Sequence, residues 1–154
     1  MNSVSNSQMI DSERLEGKRL SGTPHMPTVL LIEDDIEMRR FVAEKLREGG
    51  FRVVDYSSGA RIVNDIDAAF FFDCVAWVPD LIVSDARLPG HSGIEILRRI
   101  RQADLDVPVI MMTAFGTPAL IEIALALGAI HVLNKPFDVD HLVKIATEIA
   151  FAKT

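Results

Sequence analysis

A chain of 154 residues, 49% of them hydrophobic and 25% charged, has the composition of a globular domain with a real core and not that of a disordered or fibrous chain. A formal net charge of -6 argues against the basic surface that nucleic-acid binding requires, and a single cysteine, Cys74, excludes an internal disulfide. With no apolar signal core at the N-terminus and no apolar run near the roughly 18 residues of a membrane span, a cytoplasmic protein without direct nucleic-acid or membrane contact is expected.

Residues 1–27 are rich in Ser, Asn and Gly, with scattered apolar residues such as Ile10, Leu15 and Leu20, and read as a flexible tail in which Met26 offers an alternative native start. The remainder, 28–154, reads as one domain. Val29-Leu30-Leu31-Ile32 is a continuous apolar run of the kind found in a parallel strand covered on both faces, and it stops at Glu33-Asp34-Asp35. A helix from Ile36 to Glu48 follows, with Met38, Phe41, Val42 and Leu46 expected inward and Arg39, Arg40, Glu44, Arg47 and Glu48 outward; Gly49-Gly50 ends it. Asp35 is either a third acid of the group or the N-cap of this helix, and the cap is favoured because the helix otherwise lacks one.

Phe51 to Tyr56 reads as a second strand, Ser57-Ser58-Gly59 as a turn, and Ile62 as the start of a second helix. The stretch from Ala68 to Val78 holds more aromatic surface than one short helix can bury. It is either an exposed association patch, which suggests a homodimer, or an extension of the helix with a buried cap.

Leu81 to Ser84 is a third strand running into Asp85, and Ser92 can cap the helix that carries Ile94, Ile96, Leu97 and Ile100 to Gln102. Val107 to Met112 is a fourth strand ending at Thr113, followed by a helix from Pro118 to Leu127 closed by Gly128. A fifth strand, Ile130 to Leu133, ends at Asn134-Lys135-Pro136, and Asp138 opens the last helix, with Leu142, Ile145, Ala146 and Ile149 inward. Five alternations of strand and helix with short connections imply an α/β fold: a doubly wound, five-stranded parallel sheet with helices on both faces.

Glu33-Asp34-Asp35, Asp85, Thr113 and Lys135 all fall at the C-terminal ends of strands, where such sheets open their ligand crevice. Carboxylates from two strand ends repel each other unless a cation lies between them, and hard oxygen ligands without His or Cys select Mg2+ or a similar ion. Lysine and a hydroxyl at the same place supply charge and a hydrogen bond for a phosphoryl group, and an ionised carboxylate such as Asp85 can accept it without a separate base. The histidines, His25, His91, His131 and His141, show no metal-ligand spacing and read as surface or turn residues.

Taken together, Glu33-Asp34, the pattern Asp85-x-x-Leu88-Pro89-Gly90-x-Ser92-Gly93, Thr113-Ala114 and Lys135-Pro136 resemble the receiver domain of two-component response regulators, over about Thr28 to Ala152. The resemblance implies a flavodoxin-like strand order 2-1-3-4-5 and a cis Lys135-Pro136 bond. It implies phosphoryl transfer from the phosphohistidine of a histidine kinase or phosphotransfer protein to Asp85. Mg2+ would be held by Asp34, Asp85, the Arg87 carbonyl and, largely through water, Glu33, with Thr113 and Lys135 on the phosphoryl oxygens. Arg87 and Phe115 would tune the lifetime of the phosphorylated state, and the domain would switch a surface for a downstream target without being an enzyme on external substrates.

One departure stands out. Where the family commonly carries Tyr or Phe, three residues before the lysine, this chain has Val132, so an aromatic rotamer switch there is not expected. A degenerate receiver that acts as a phosphorylation-independent interaction module is therefore the alternative. An aspartyl phosphatase usually places a second Asp where Arg87 stands, and no glycine-rich loop follows the first strand as a nucleotide-binding or flavin-binding protein would suggest. The chain stops soon after the fifth helix without a DNA-binding or catalytic output domain, so either a free-standing regulator or a fragment of a longer protein is expected.

Overall fold

The computed structural model of the protein describes residues 25–60 and 78–152. The tail up to residue 24 and the body of the second expected helix, with its aromatic-rich stretch through Trp77, lie outside the described residues. Among the described residues the elements run β1 (Thr28–Ile32), α1 (Ile36–Glu48), β2 (Arg52–Tyr56), β3 (Leu81–Asp85), α2 (Gly93–Gln102), β4 (Val109–Thr113), α3 (Pro118–Ala126), β5 (Ala129–Asn134) and α4 (Val139–Phe151). Every strand pairing is parallel, in the order β2-β1-β3-β4-β5. The doubly wound sheet and its expected order are therefore observed.

The unbroken apolar character of β1, β3 and β4 follows from their central place in the sheet, where both faces are covered. Alternate side chains feed two cores. Val29, Leu31, Leu81, Val83, Ile110 and Met112 pack with Val42 and Leu46 of α1 and Leu142 and Ile145 of α4. Leu30, Ile32, Ile82, Val109 and Met111 point the other way, toward Ile96, Leu97 and Ile100 of α2 and Ala124 of α3. Fully burying one such Leu or Ile contributes about 1.5–3 kcal/mol, which anchors these strands between the helix layers.

Each of these described helices starts on a side-chain cap. Asp35, Ser92, Thr117 and Asp138 accept from the backbone N–H of Met38, Glu95, Leu120 and Asp140 at 3.0, 3.1, 3.2 and 3.0 Å. Asp35 thus caps α1, the favoured of its two readings. Thr117 was hidden in the sequence by Pro118, which is the more conspicuous helix opener. At the end of α1, Gly50 takes φ +97°, a conformation that favours glycine.

Two expectations for α1 need correction. Phe41, expected inward, is 46% exposed, because Val42, Ala43 and Leu46 form the buried stripe and Phe41 sits about 100° round the helix from Val42. Arg39, expected outward, is instead folded down against the sheet, its side chain only 16% exposed. At the far edge, α3 buries only Ala124, and Ile123, Leu125 and Ile130 remain exposed. No described helix is long and apolar enough to cross a membrane.

Candidate functional site

The neighbouring strands β1, β3, β4 and β5 end side by side, and this brings Glu33, Asp34, Asp85, Thr113 and Lys135 to one end of the sheet. Backbone hydrogen bonds tie the strand-end loops together: Ala86 N–H donates to the Met112 carbonyl and Lys135 N–H to the Thr113 carbonyl, both at 2.7 Å. Asp85, Glu33 and Thr113 are buried, while Asp34 is exposed at the rim. The Lys135-Pro136 bond is cis, as the resemblance implied.

Asp85 has a donor on each oxygen. Lys135 Nζ lies 2.5 Å from Oδ2, and the Arg87 N–H donates to Oδ1 at 2.7 Å. Lys135 Nζ also donates to Glu33 Oε2 at 2.8 Å, and the Asp35 N–H reaches Glu33 Oε1 at 3.2 Å. Thr113 Oγ1 accepts from the N–H of Phe115 at 3.1 Å. Carboxylate oxygens of Glu33, Asp34 and Asp85 all fall within 4.8 Å of one another.

Three carboxylates thus face one ammonium. Burial pushes the Glu33 carboxyl above the ordinary glutamate value; the charge of Asp85 adds to this, and the Lys135 hydrogen bond opposes it. For Lys135, burial acts to lower the pKa, but hydrogen bonds and charge from Asp85 and Glu33 together outweigh it and hold the ammonium above its ordinary value. Such a cluster of hard oxygen donors, short of positive charge and with one member at the rim, fits a divalent cation of the Mg2+ type.

The residues two places beyond Asp85 and Thr113 meet each other: the Arg87 guanidinium lies 4.8 Å from the centroid of the Phe115 ring, and both side chains are exposed. Val132 is half-buried on β5, beside Met111 of β4, and packs against the core beneath α2 and α3. It presents no ring that could turn. A cleft lined by Arg101, Asp106, Pro108, Gly128 and Ile130 lies toward the opposite end of the sheet and shares no residue with this site.

The sequence did not point to Arg39. Its Nη1 donates to the Glu33 carbonyl at 2.9 Å and its Nε to Asp55 Oδ2 of β2 at 3.1 Å. The signal was Asp55, an acid among the otherwise mostly apolar residues of β2, paired in register with Leu31 just before the acidic loop.

Comparison with known proteins agrees with this geometry. The family model "Response regulator receiver domain" matches residues 29–147. The response regulator receiver protein CpdR of Brucella abortus is 32% identical over 120-odd aligned positions that cover 80% of this chain and 94% of that protein. The C4-dicarboxylate transport transcriptional regulatory protein DctD of Pseudomonas aeruginosa is 37% identical over 74% of this chain but only 23% of its own length, so the chain spans about a quarter of such regulators. Among solved structures, a Francisella response regulator receiver domain superposes with a TM-score of 0.71 at 26% identity, covering 83% of this chain and 99% of that one. The chain belongs to the response regulator receiver domain family of two-component signalling.

Proposed function

We propose that Asp85 accepts a phosphoryl group from a phosphohistidine and that this covalent change switches a partner-binding surface. The observation that carries the reading is the convergence on Asp85, at the end of β3, of the Lys135 ammonium from the end of β5 and the Glu33 and Asp34 carboxylates from the end of β1. In the transfer a carboxylate oxygen of Asp85 forms a P–O bond as the donor's P–N bond breaks, and the histidine nitrogen keeps the electron pair. Asp85 attacks as a carboxylate and so needs no separate base. Lys135, already on Oδ2, offers its ammonium to the phosphoryl oxygens, and Thr113 turns its hydroxyl to them as a donor.

Glu33, Asp34, Asp85 and the Arg87 carbonyl are the groups that would hold Mg2+, Glu33 largely through water. When bound, the ion neutralises charge that develops on the transferring group. The chain acts as phosphoacceptor and promotes only its own phosphorylation and dephosphorylation, so it is not an enzyme toward external substrates. Its partners are a histidine kinase or phosphotransfer protein and a downstream target or output domain, in the cytoplasm. Support for a target surface on the last strands and helices comes from the exposed Phe115, Ile123, Leu125 and Ile130. A homodimer through residues 68–78 rests on a stretch almost wholly outside the described residues.

Val132 favours a second reading, the phosphorylation-independent module, because no ring couples Thr113 to the β5 surface. One experiment separates the two: incubate the protein with Mg2+ and acetyl phosphate, then with phosphorylated histidine kinases, and measure intact mass beside Asp85→Ala. One phosphoryl group on the wild type and none on the variant is expected. Wild type that stays unmodified with every donor, while folded and Mg2+-bound, would leave the module.

A further inference from the structure

Glu33 is held from three directions by backbone and side-chain bonds that the transfer chemistry does not itself use. Its N–H donates to the Tyr56 carbonyl at 3.1 Å, and its carbonyl accepts from Arg39 Nη1 at 2.9 Å. The third bond, from the Asp35 N–H, holds the carboxylate. Arg39 is itself fixed, because its Nε bonds Asp55 Oδ2 at 3.1 Å, and Asp55 also lies 3.6 Å from Arg47 Nη2. Arg47 in turn donates to the Val53 carbonyl at 3.2 Å. The planar guanidinium therefore spans from the end of β1 to β2, a geometry suited to the fixed fork of arginine and not to the single ammonium of lysine.

We propose that Arg39, seated on Asp55, is a positioning residue for the divalent-cation site: it fixes the Glu33 peptide and so aims the Glu33 and Asp34 carboxylates at the ion. This deepens the phosphoacceptor reading and rests on it. Arg39 contributes no ligand atom. Its effect passes through the peptide between two consecutive acids, one buried and one exposed, whose carboxylates must reach the same point from opposite sides of the chain.

The sign of the effect separates positioning from mere charge. A cation this near an acidic site repels a divalent ion, so losing the charge alone tightens Mg2+ binding. Losing the clamp weakens it, since the unpinned peptide must be ordered again at each binding event; groups that orient metal ligands typically matter by about tenfold or more in affinity.

The test uses the full chain. Mg2+ affinity is measured by isothermal titration calorimetry for wild type, Arg39→Ala, Arg39→Lys and Asp55→Ala, each with a thermal melt, and the initial rate of acetyl phosphate labelling is followed against Mg2+ concentration. Expected are an affinity about tenfold weaker in Arg39→Ala, a smaller loss in Arg39→Lys and in Asp55→Ala although both keep a cation at position 39, and labelling rates that converge at saturating Mg2+. Unchanged or tighter binding in Arg39→Ala overturns the proposal. Should that variant not fold, wild-type affinity in both Arg39→Lys and Asp55→Ala overturns it equally. Wild type that binds no Mg2+ removes the phosphoacceptor reading and this inference with it, whereas equal binding by all four chains removes the inference alone.

Discussion

The Arg87 guanidinium stacks on the Phe115 ring with its carbon 4.8 Å from the ring centroid, joining the loop after β3 to the loop after β4. These loops follow Asp85 and the hydroxyl of Thr113, so, with Asp85 as the proposed phosphoacceptor, the stacked pair would stand where water approaches the acyl phosphate.

An exposed cation–π pair contributes about 0.5–1 kcal/mol, which corresponds to a factor of about two to five in a rate. Phe115→Ala and Arg87→Ala are each expected to speed loss of phosphate from Asp85 by about that factor, and the double variant to be little faster than either single one. Decay of the phosphorylated mass with time measures this. Fully multiplicative effects in the double variant would show that the two side chains act separately.

Gly93 allows α2 to begin directly on the Asp85 peptide. A Cβ there would lie 2.2 Å from the Asp85 carbonyl oxygen and 2.9 Å from the Ala86 Cα, and backbone cannot swing aside as a side-chain tip can. Gly93→Ala is expected to cost about 1–3 kcal/mol of stability, as overpacking does, and to slow labelling of Asp85 by displacing it from Lys135. Urea unfolding and acetyl phosphate labelling, run in parallel, check both halves. A stable variant that labels at the wild-type rate contradicts the steric argument.

Without metal, the protein is expected to carry a pH-dependent strain at Glu33. Its folded pKa is raised from 4.5, mainly by burial and next by the charge of Asp85, with Lys135 opposing, so the folded state holds this proton more tightly than the unfolded chain. Stability linked to that proton is present below 4.5 and is lost as pH rises through the higher folded value. In EDTA, the melting temperature of Glu33→Gln should therefore gain on that of wild type as pH rises through this window, and saturating Mg2+ should shrink or reverse the gain. Lys135 follows the same sign at the basic end: its contribution is complete below 10.5 and is lost only as pH rises through its raised folded value. A constant difference between the melting curves at all pH values would exclude the Glu33 effect.

Much of this was legible because the relevant physics is local. An apolar run that stops at a carboxylate, a threonine or a lysine announces a buried strand and the polar group at its end, and Asp35, Ser92 and Asp138 announce helix starts by their position before an amphipathic stretch. Phe41 and Arg39 were misplaced because periodicity gives the width of a helix's apolar stripe but not its rotation on the sheet. That rotation depends on how the side chains fit the sheet, and at α1 it turns Val42, Ala43 and Leu46 inward.

The amino-acid sequence by itself determined the alternation of strands and helices, the residues at the strand ends and the family to which they belong, since each depends on the order of neighbours along the chain. Only the tertiary structure decided that Lys135 bridges Asp85 and Glu33, that Arg87 rests on Phe115 and that Arg39 reaches from α1 to Asp55. The residues of these pairs come from separate strands, helices and loops, and their contacts exist only once the packing of both cores has set the sheet order and the rotation of each helix upon it.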